Sequence, residues 1–316
     1  INMPKEVYFH TKNNCKKNSK IGILATEGTL KTNVYNKFFY KNFKLISPEK
    51  NLQIKSVNKA INNNVEKWAI MESSKKRLLY SLKRLGVPFS TKWLSGKCGF
   101  LFDFIEDKRT NPTVDEQYVT TGYSDGIITI NINEADPVFR TEQKEATNQS
   151  FRTVLGHFRH ESGHHYYNFI NLFPELRSEY NELFCSSHTL SYDDALVAFY
   201  ANGPKIGWED NYITPYASAH HLEDWAETWS HYLHILDSLE TAIEFGFIES
   251  RSGPLSIEEK VAYWQASSIG FNEINRSLGI EDNYPFVINQ QTIKKLKLIE
   301  KLNVKLRNRL PDSATD

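Results

Sequence analysis

The run His160-Glu161-Ser162-Gly163-His164 decides how this chain is read, because it fits the pattern H-E-x-x-H. Residues four apart lie one turn apart on one helical face, so two imidazoles can converge on a single metal ion, with Glu161 beside them. A zinc ion with three protein ligands keeps a fourth position for water and brings that water's pKa to about 7. Glu161 is then placed to take the proton and pass it to a leaving amine. Five residues with three fixed also arise by chance, so context has to decide. From Ser150 to Phe173, apolar residues recur at Val154, Leu155, Phe158, Tyr166, Phe169 and Ile170, and no proline intervenes before Pro174; the stretch predicts a helix. Gly163 inside it costs about 1 kcal/mol relative to alanine. The expectation is that a metal or substrate approaches the backbone there.

Nine of the ten histidines lie between His157 and His234. His157, His165, His188, His231 and His234 read best as packed or surface residues, and His160 and His164 as ligands. A third ligand has to come from elsewhere. The segment Tyr216-Ala-Ser-Ala-His-His-Leu-Glu223-Asp-Trp-Ala-Glu227 opens a long amphipathic helix that puts Glu223 and Glu227 on one face. Glu223 is the first choice, with His220, His221, Asp224, Glu227 and His231 as chemically capable alternatives. Trp225 and Trp229 suggest a buried helix, where an unpaired carboxylate is costly. In such a helix Glu227 would accept from the free N–H of a ligand histidine and fix its tautomer. Tyr216, near the helix start, could reach a developing oxyanion.

This arrangement resembles the gluzincin form of zinc peptidase, whose third-ligand helix carries E-x-x-x-D/E. The string Phe151-Arg-Thr-Val-Leu-Gly-His-Phe-Arg-His-Glu-Ser-Gly-His-His-Tyr-Tyr167 is similar to the signature of a bacterial family of zinc metallopeptidases, often with an N-terminal zinc ribbon. The resemblance continues in Lys75 to Gly86, Thr121 to Asp136, Tyr216 to Ile235 and Pro285 to Ile299, and so covers roughly residues 60 to 300. It implies a zincin-like peptidase domain binding one catalytic Zn2+ and acting on a peptide or protein substrate. Two departures stand out. Only Cys15 lies near the Val7 to His10 stretch where relatives carry paired cysteines, and Tyr123 occupies the place of the histidine in the family's Thr-Gly-His pattern.

The chain has 316 residues, 40% hydrophobic and 13% aromatic, enough for one sizeable core or two close subdomains. No apolar run approaches membrane-spanning length, and the first 25 residues lack a signal-like apolar core. Three widely spaced cysteines, at 15, 98 and 185, argue against a disulfide framework and suit a reducing compartment; a cytoplasmic location is expected. Charge is uneven. Residues 1 to 60 hold twelve lysines against three glutamates, but no nucleic-acid module, so no such partner is expected. Asn171 to Lys260 holds sixteen acidic against four basic residues. If those acids rim the site they would steer basic or neutral substrates towards it; otherwise they are solvated helix faces.

The expected organisation is α+β. Residues 1–60 read as a basic, β-rich extension, degenerate relative to a zinc ribbon, with a strand-like run at Val34 to Phe43. Residues 61–316 read as the zincin-like domain. In it, a helix near Val65 to Leu85 precedes strands around Gly99 to Ile105, Tyr118 to Tyr123 and Ile127 to Ile132, with Ser124-Asp125-Gly126 as a hairpin turn. This upper subdomain with a small sheet leads into the active-site helix and a helical lower subdomain. Ile127 to Ile132 is a candidate edge for pairing with extended substrate, or an ordinary half-exposed strand. The fifty-nine residues from His164 to Glu223 must fold back for the third ligand to arrive. Helices near Leu176 to Phe184, Tyr192 to Tyr200, Ser256 to Leu278 and Asn289 to Leu310 complete the pattern. The last carries Ile293, Leu296, Ile299 and Leu302 on one face with lysines opposite, as a docked amphipathic helix does. Two further readings use the same residues: a zinc-stabilised binding protein without turnover, and a hydrolase of a non-peptide amide.

Overall fold

A computed structural model describes residues 3–23, 30–50, 58–90, 99–146, 152–186, 190–249 and 253–309. The chain divides into two compact units, Ile1–Ala69 and Ile70–Asp316. In the first, helix α1 (Met3–Asn14) precedes strand β1 (Lys20–Gly22), helix α2 (Asn36–Phe39) and strand β2 (Lys44–Ile46), which pairs parallel with β1. Tyr8, Phe39 and Phe43 gather their rings, with Phe39 fully buried. Helix, not strand, is the commoner state among this unit's described residues. Val34 to Phe43, expected as a strand-like run, is a turn followed by α2; its aromatics at 35, 39 and 43 recur every four residues, which is helical spacing.

The second unit takes the residues of helix α3 (Asn58–Leu85) from Ile70 onward. Met71, Leu78 and Leu82 recur at intervals of seven and four and are fully buried. Strands β3 (Leu101–Ile105), β4 (Gly122–Ser124) and β5 (Ile127–Asn131) form one sheet in the order β3-β5-β4. β5 runs parallel to β3 and antiparallel to β4. Asp125 (φ 42°) and Gly126 (φ 79°) both adopt the left-handed conformation that a tight two-residue hairpin turn demands. β5 is therefore the central strand, and the expectation that Ile127 to Ile132 offers a free edge is corrected: both of its flanks are already hydrogen-bonded. Ile128 and Ile130 are buried while Ile127 and Thr129 on the other face stay partly exposed, as in an ordinary half-exposed strand.

The loop between β3 and β4 is pinned onto β5 by one buried carboxylate. Asp107 accepts from the Val119 backbone N–H (2.9 Å), the Asn131 side-chain amide (2.9 Å) and the Arg109 guanidinium (2.6 Å). That anchoring holds the following residues, Thr120 and Thr121, in place as one wall of a cleft.

Helix α4 (Pro137–Ala146) and helix α5 (Val154–Tyr167) follow, then α6 (Pro174–Tyr180) and α7 (Tyr192–Asn202). Helix α8 (His221–Glu244) runs through the core, and α9 (Ile257–Ser277) and α10 (Gln290–Arg309) pack against it. α9 starts with a full capping box between Ser256 and Glu259. On α10, Ile293, Leu296, Ile299 and Leu302 face the core, while Lys301 and Lys305 reach Glu179 and Glu175 on the outside. Lys295 is the exception, buried against Asp224 at 2.6 Å. The unit is a helix-rich α+β assembly, and no described helix is long and apolar enough to cross a membrane.

Candidate metal and catalytic centre

Helix α5 begins where the Thr153 hydroxyl accepts the Gly156 N–H at 2.9 Å. It then crosses α8 at very short range. A Cβ on Gly163 would lie 2.9 Å from the Ala226 Cα and 3.1 Å from the Trp229 Cβ. The glycine is thus explained by helix–helix contact, which corrects the expectation of a metal or substrate against that backbone. Two indoles lock the crossing: Trp225 Nε1 donates to the Gly163 carbonyl (2.9 Å) and Trp229 Nε1 to the Ser162 hydroxyl (3.0 Å). With the first turns of α8 clamped there, Glu223 and Glu227 face His160.

His160, His164 and Glu223 each offer one ligand atom, all within 4.8 Å of one another. His160 Nε2 lies 3.0 Å from Glu223 Oε2 and 3.2 Å from His164 Nε2, which is 3.6 Å from Glu223 Oε1. On its other side His160 Nδ1 meets Glu227 Oε1 at 2.6 Å, while Thr214 donates to Glu227 Oε2 at 2.7 Å. A proton held at Nδ1 by Glu227 leaves Nε2 as an electron-pair donor. Two imidazole nitrogens and a carboxylate then face one another in a buried place with too few protons to pair them. A cation between them resolves the conflict, and two histidines with one glutamate are a donor set zinc accepts.

A second proton on His160 takes the place that such a cation would fill. Burial works against a charged His160, but its contacts with Glu223 and Glu227 outweigh burial and hold its pKa well above the ordinary value. The pocket, in other words, attracts positive charge. Burial keeps His164 neutral, with a pKa lowered to about 4. For Glu223, burial is outweighed by His164, His160 and the Tyr192 hydroxyl, which hold the carboxyl at about 2. Burial pushes Glu161 up to about 7, opposed by His160 and reinforced by Glu223 and Glu227.

Glu161 and His160 open onto a cleft of about 390 Å3, with Thr120 and Thr121 on one side and Tyr216, Phe199 and Phe286 among its other walls. The Tyr216 ring lies 6.0 Å from that of His160, in a short 3-10 turn, Tyr216–Ser218, just before α8. Burial raises its phenol pKa well above the ordinary value, so it stays a proton donor.

The other candidate ligands are engaged elsewhere. His220 caps α8, His221 Nδ1 meets the Tyr180 hydroxyl at 2.7 Å, Asp224 pairs with Lys295, and His231 meets Tyr284. His165 is buried in the packing, His157 and His234 line the cleft beside Glu134 and Arg159, and His188 lies outside the described residues. Tyr123 hydrogen-bonds with His165 Nδ1 at 3.2 Å rather than lining the cleft. Of the sixteen acids between Asn171 and Lys260, only Glu227 lines the cleft among the described residues. The acidic stretch is therefore mostly helix surface and buried pairs, not a rim.

Sequence reasoning missed Tyr192 and Thr214. Tyr192 donates to Glu223 Oε1 at 2.6 Å and orients it, as Thr214 orients Glu227. Neither has a spacing signal, since each arrives on a separate turn of the long connection between α5 and α8.

Residues 64–302 match the model of a family described as "Putative zinc-binding metallo-peptidase". The chain belongs to that family. Uncharacterised proteins of Mycobacterium bovis and Mycobacterium tuberculosis are each 35% identical to it over 240 residues, covering 73% of this chain and 68% of the relative. No solved structure matches. Family membership agrees with a zinc-binding donor set on α5 and α8 and with a peptide or protein as substrate.

Proposed function

We propose that this chain is a zinc-dependent peptidase of gluzincin type, with His160, His164 and Glu223 as ligands and Glu161 as general base and acid. The observation that carries it is the convergence of these three ligand side chains within 4.8 Å, with Glu227 seated behind His160. We read the small sheet before α5 and the helices after it as a zincin's upper and lower halves.

Bound zinc supplies Lewis acidity that polarises a carbonyl and brings the pKa of a water to about 7. The chain's own groups do the rest. Glu161 accepts the proton of the attacking water as its oxygen bonds to the scissile carbonyl carbon. The same carboxyl then returns that proton to the amine nitrogen as the C–N bond breaks, a role worth about 10²–10⁴ in rate. The Tyr216 phenol donates to the oxyanion, a contact of the kind worth about 10²–10³. Glu227 holds His160 in the Nδ1–H tautomer, and Tyr192 holds Glu223 in place.

Elemental mass spectrometry and peptide turnover test this reading together. Wild type should carry about one zinc, and Glu223→Ala should lose it. Glu161→Gln should keep the metal while hydrolysis drops by at least a hundredfold. Unchanged turnover in Glu161→Gln would defeat the mechanism, and full zinc in Glu223→Ala would defeat the ligand assignment.

A further inference from the structure

Apart from its catalytic cluster, the cleft has one formally charged side chain among the described residues, the guanidinium of Arg152. It stands immediately before the cap of α5. Glu134 holds it from behind, Arg152 Nη2 to Glu134 Oε1 at 2.5 Å, with side chains only 12% and 3% exposed. Glu134 also has His157 Nδ1 at 3.5 Å, and its backbone carbonyl accepts from Arg140 Nη1 at 2.5 Å. Glu134 thus holds Arg152 through its carboxylate and Arg140 through its backbone carbonyl, which fixes the Arg152 guanidinium at the cleft wall. The same cleft is also lined by the Gln143 amide and the hydroxyls of Thr120 and Thr121. Thr121 Oγ1 already accepts the Asn131 N–H at 3.2 Å, so its own proton is directed elsewhere.

A guanidinium oriented in advance by a buried carboxylate loses little freedom on binding, and its planar fork matches a second carboxylate. We infer that the Arg152 end of the cleft is a substrate subsite for a carboxylate, so that this peptidase takes peptides with an acidic group close to the scissile bond. The inference rests on the peptidase reading above. The carboxylate has two possible sources, the C-terminus of the peptide or an aspartate or glutamate side chain.

Short fluorescent peptides made in three forms separate these: neutral with an amidated C-terminus, the same with a free C-terminus, and amidated with one glutamate scanned along the chain. Their binding to zinc-loaded Glu161→Gln protein is read by fluorescence anisotropy. At least one acidic form should bind about tenfold or more tightly than the neutral form. A gain from the free C-terminus alone identifies an exopeptidase site, and a gain from internal glutamate an endopeptidase site. Adding Arg152→Gln should bring the ratio near one, whereas Arg152→Lys should keep part of it, and raised salt should shrink it. Equal binding of neutral and acidic forms, a ratio that survives Arg152→Gln, or no binding of any form would overturn the subsite. Wild-type turnover tests the underlying reading separately. No hydrolysis with the acidic preference intact defeats the peptidase and leaves the subsite; hydrolysis without preference defeats the subsite alone.

Discussion

Helices α5 and α8 meet in two buried polar clusters that use similar side chains to opposite ends. Near the start of α8, Glu223 and Glu227 face His160 and His164 with no lysine or arginine among them. About three turns beyond Glu227, Asp237 is met by Arg159 and Arg77, and Arg159 also donates to His234 Nδ1 at 2.6 Å. In the second cluster the carboxylate is met by guanidinium groups the chain itself supplies, so it works as a clamp. In the first, carboxylates and imidazoles face one spot with no lysine or arginine, the arrangement a bound cation would satisfy. Histidines and carboxylates across a helix pair do not make a metal centre unless the protein withholds the cation.

The clamp should give the larger effect on stability. Asp237→Ala strands Arg159, which is 2% exposed, with His234 and Ser81 as its remaining side-chain hydrogen-bond partners among the described residues. Removing one partner of a buried pair costs about 3–5 kcal/mol. Chemical denaturation should show that loss while zinc stays at one per chain. Loss of the metal in a folded Asp237→Ala protein would show that the two clusters are not separable.

The metal cluster can be weakened without touching a ligand. Glu227→Gln keeps the shape but removes the charge that fixes His160 Nδ1, and zinc affinity should fall about 10–100-fold, as outer contacts of metal-bound histidines commonly do. Competition with a chromophoric chelator measures it. An unchanged affinity would mean that Glu227 serves the fold and not the metal.

How much of this was legible beforehand follows from the range of the signals. The motif on α5 and the E-x-x-x-E on α8 are periodic, so spacing puts His160 with His164, and Glu223 with Glu227, each on one helical face, but not the two helices against each other. The helices of the long connection were legible but their path was not, and Tyr192 at the start of α7 and Thr214 in the loop after it reach their carboxylates only through that path. Sheet order failed for a related reason. β5 alternates like any strand, and nothing in its own residues says that β3 pairs on its other flank. Gly163 was noticed but misread, because the backbone that fills the space comes from Ala226, sixty-three residues away. Charge counting along the chain failed as well, since it ignores which acids are paired or turned away from the cleft.

The smallest expected effect is on pH dependence, and it distinguishes the clamp from the site once more. Burial and then Arg159 depress the His234 pKa well below its ordinary value, and Arg159 as donor requires Nδ1 to be the acceptor, so the folded ring is neutral. The unfolded ring titrates near 6.5. Above that pH both states are neutral and the clamp contributes in full. Below it the unfolded chain binds a proton that the folded chain refuses, so stability falls as pH falls, by about 1.4 kcal/mol at one unit below. His157, His221 and His231 are depressed in the same direction, so His234→Gln should reduce that slope by one proton's share between about pH 6.5 and 5.5 in denaturation of the zinc-loaded protein. A slope unchanged by the substitution would mean that the His234 ring takes up a proton in the folded clamp.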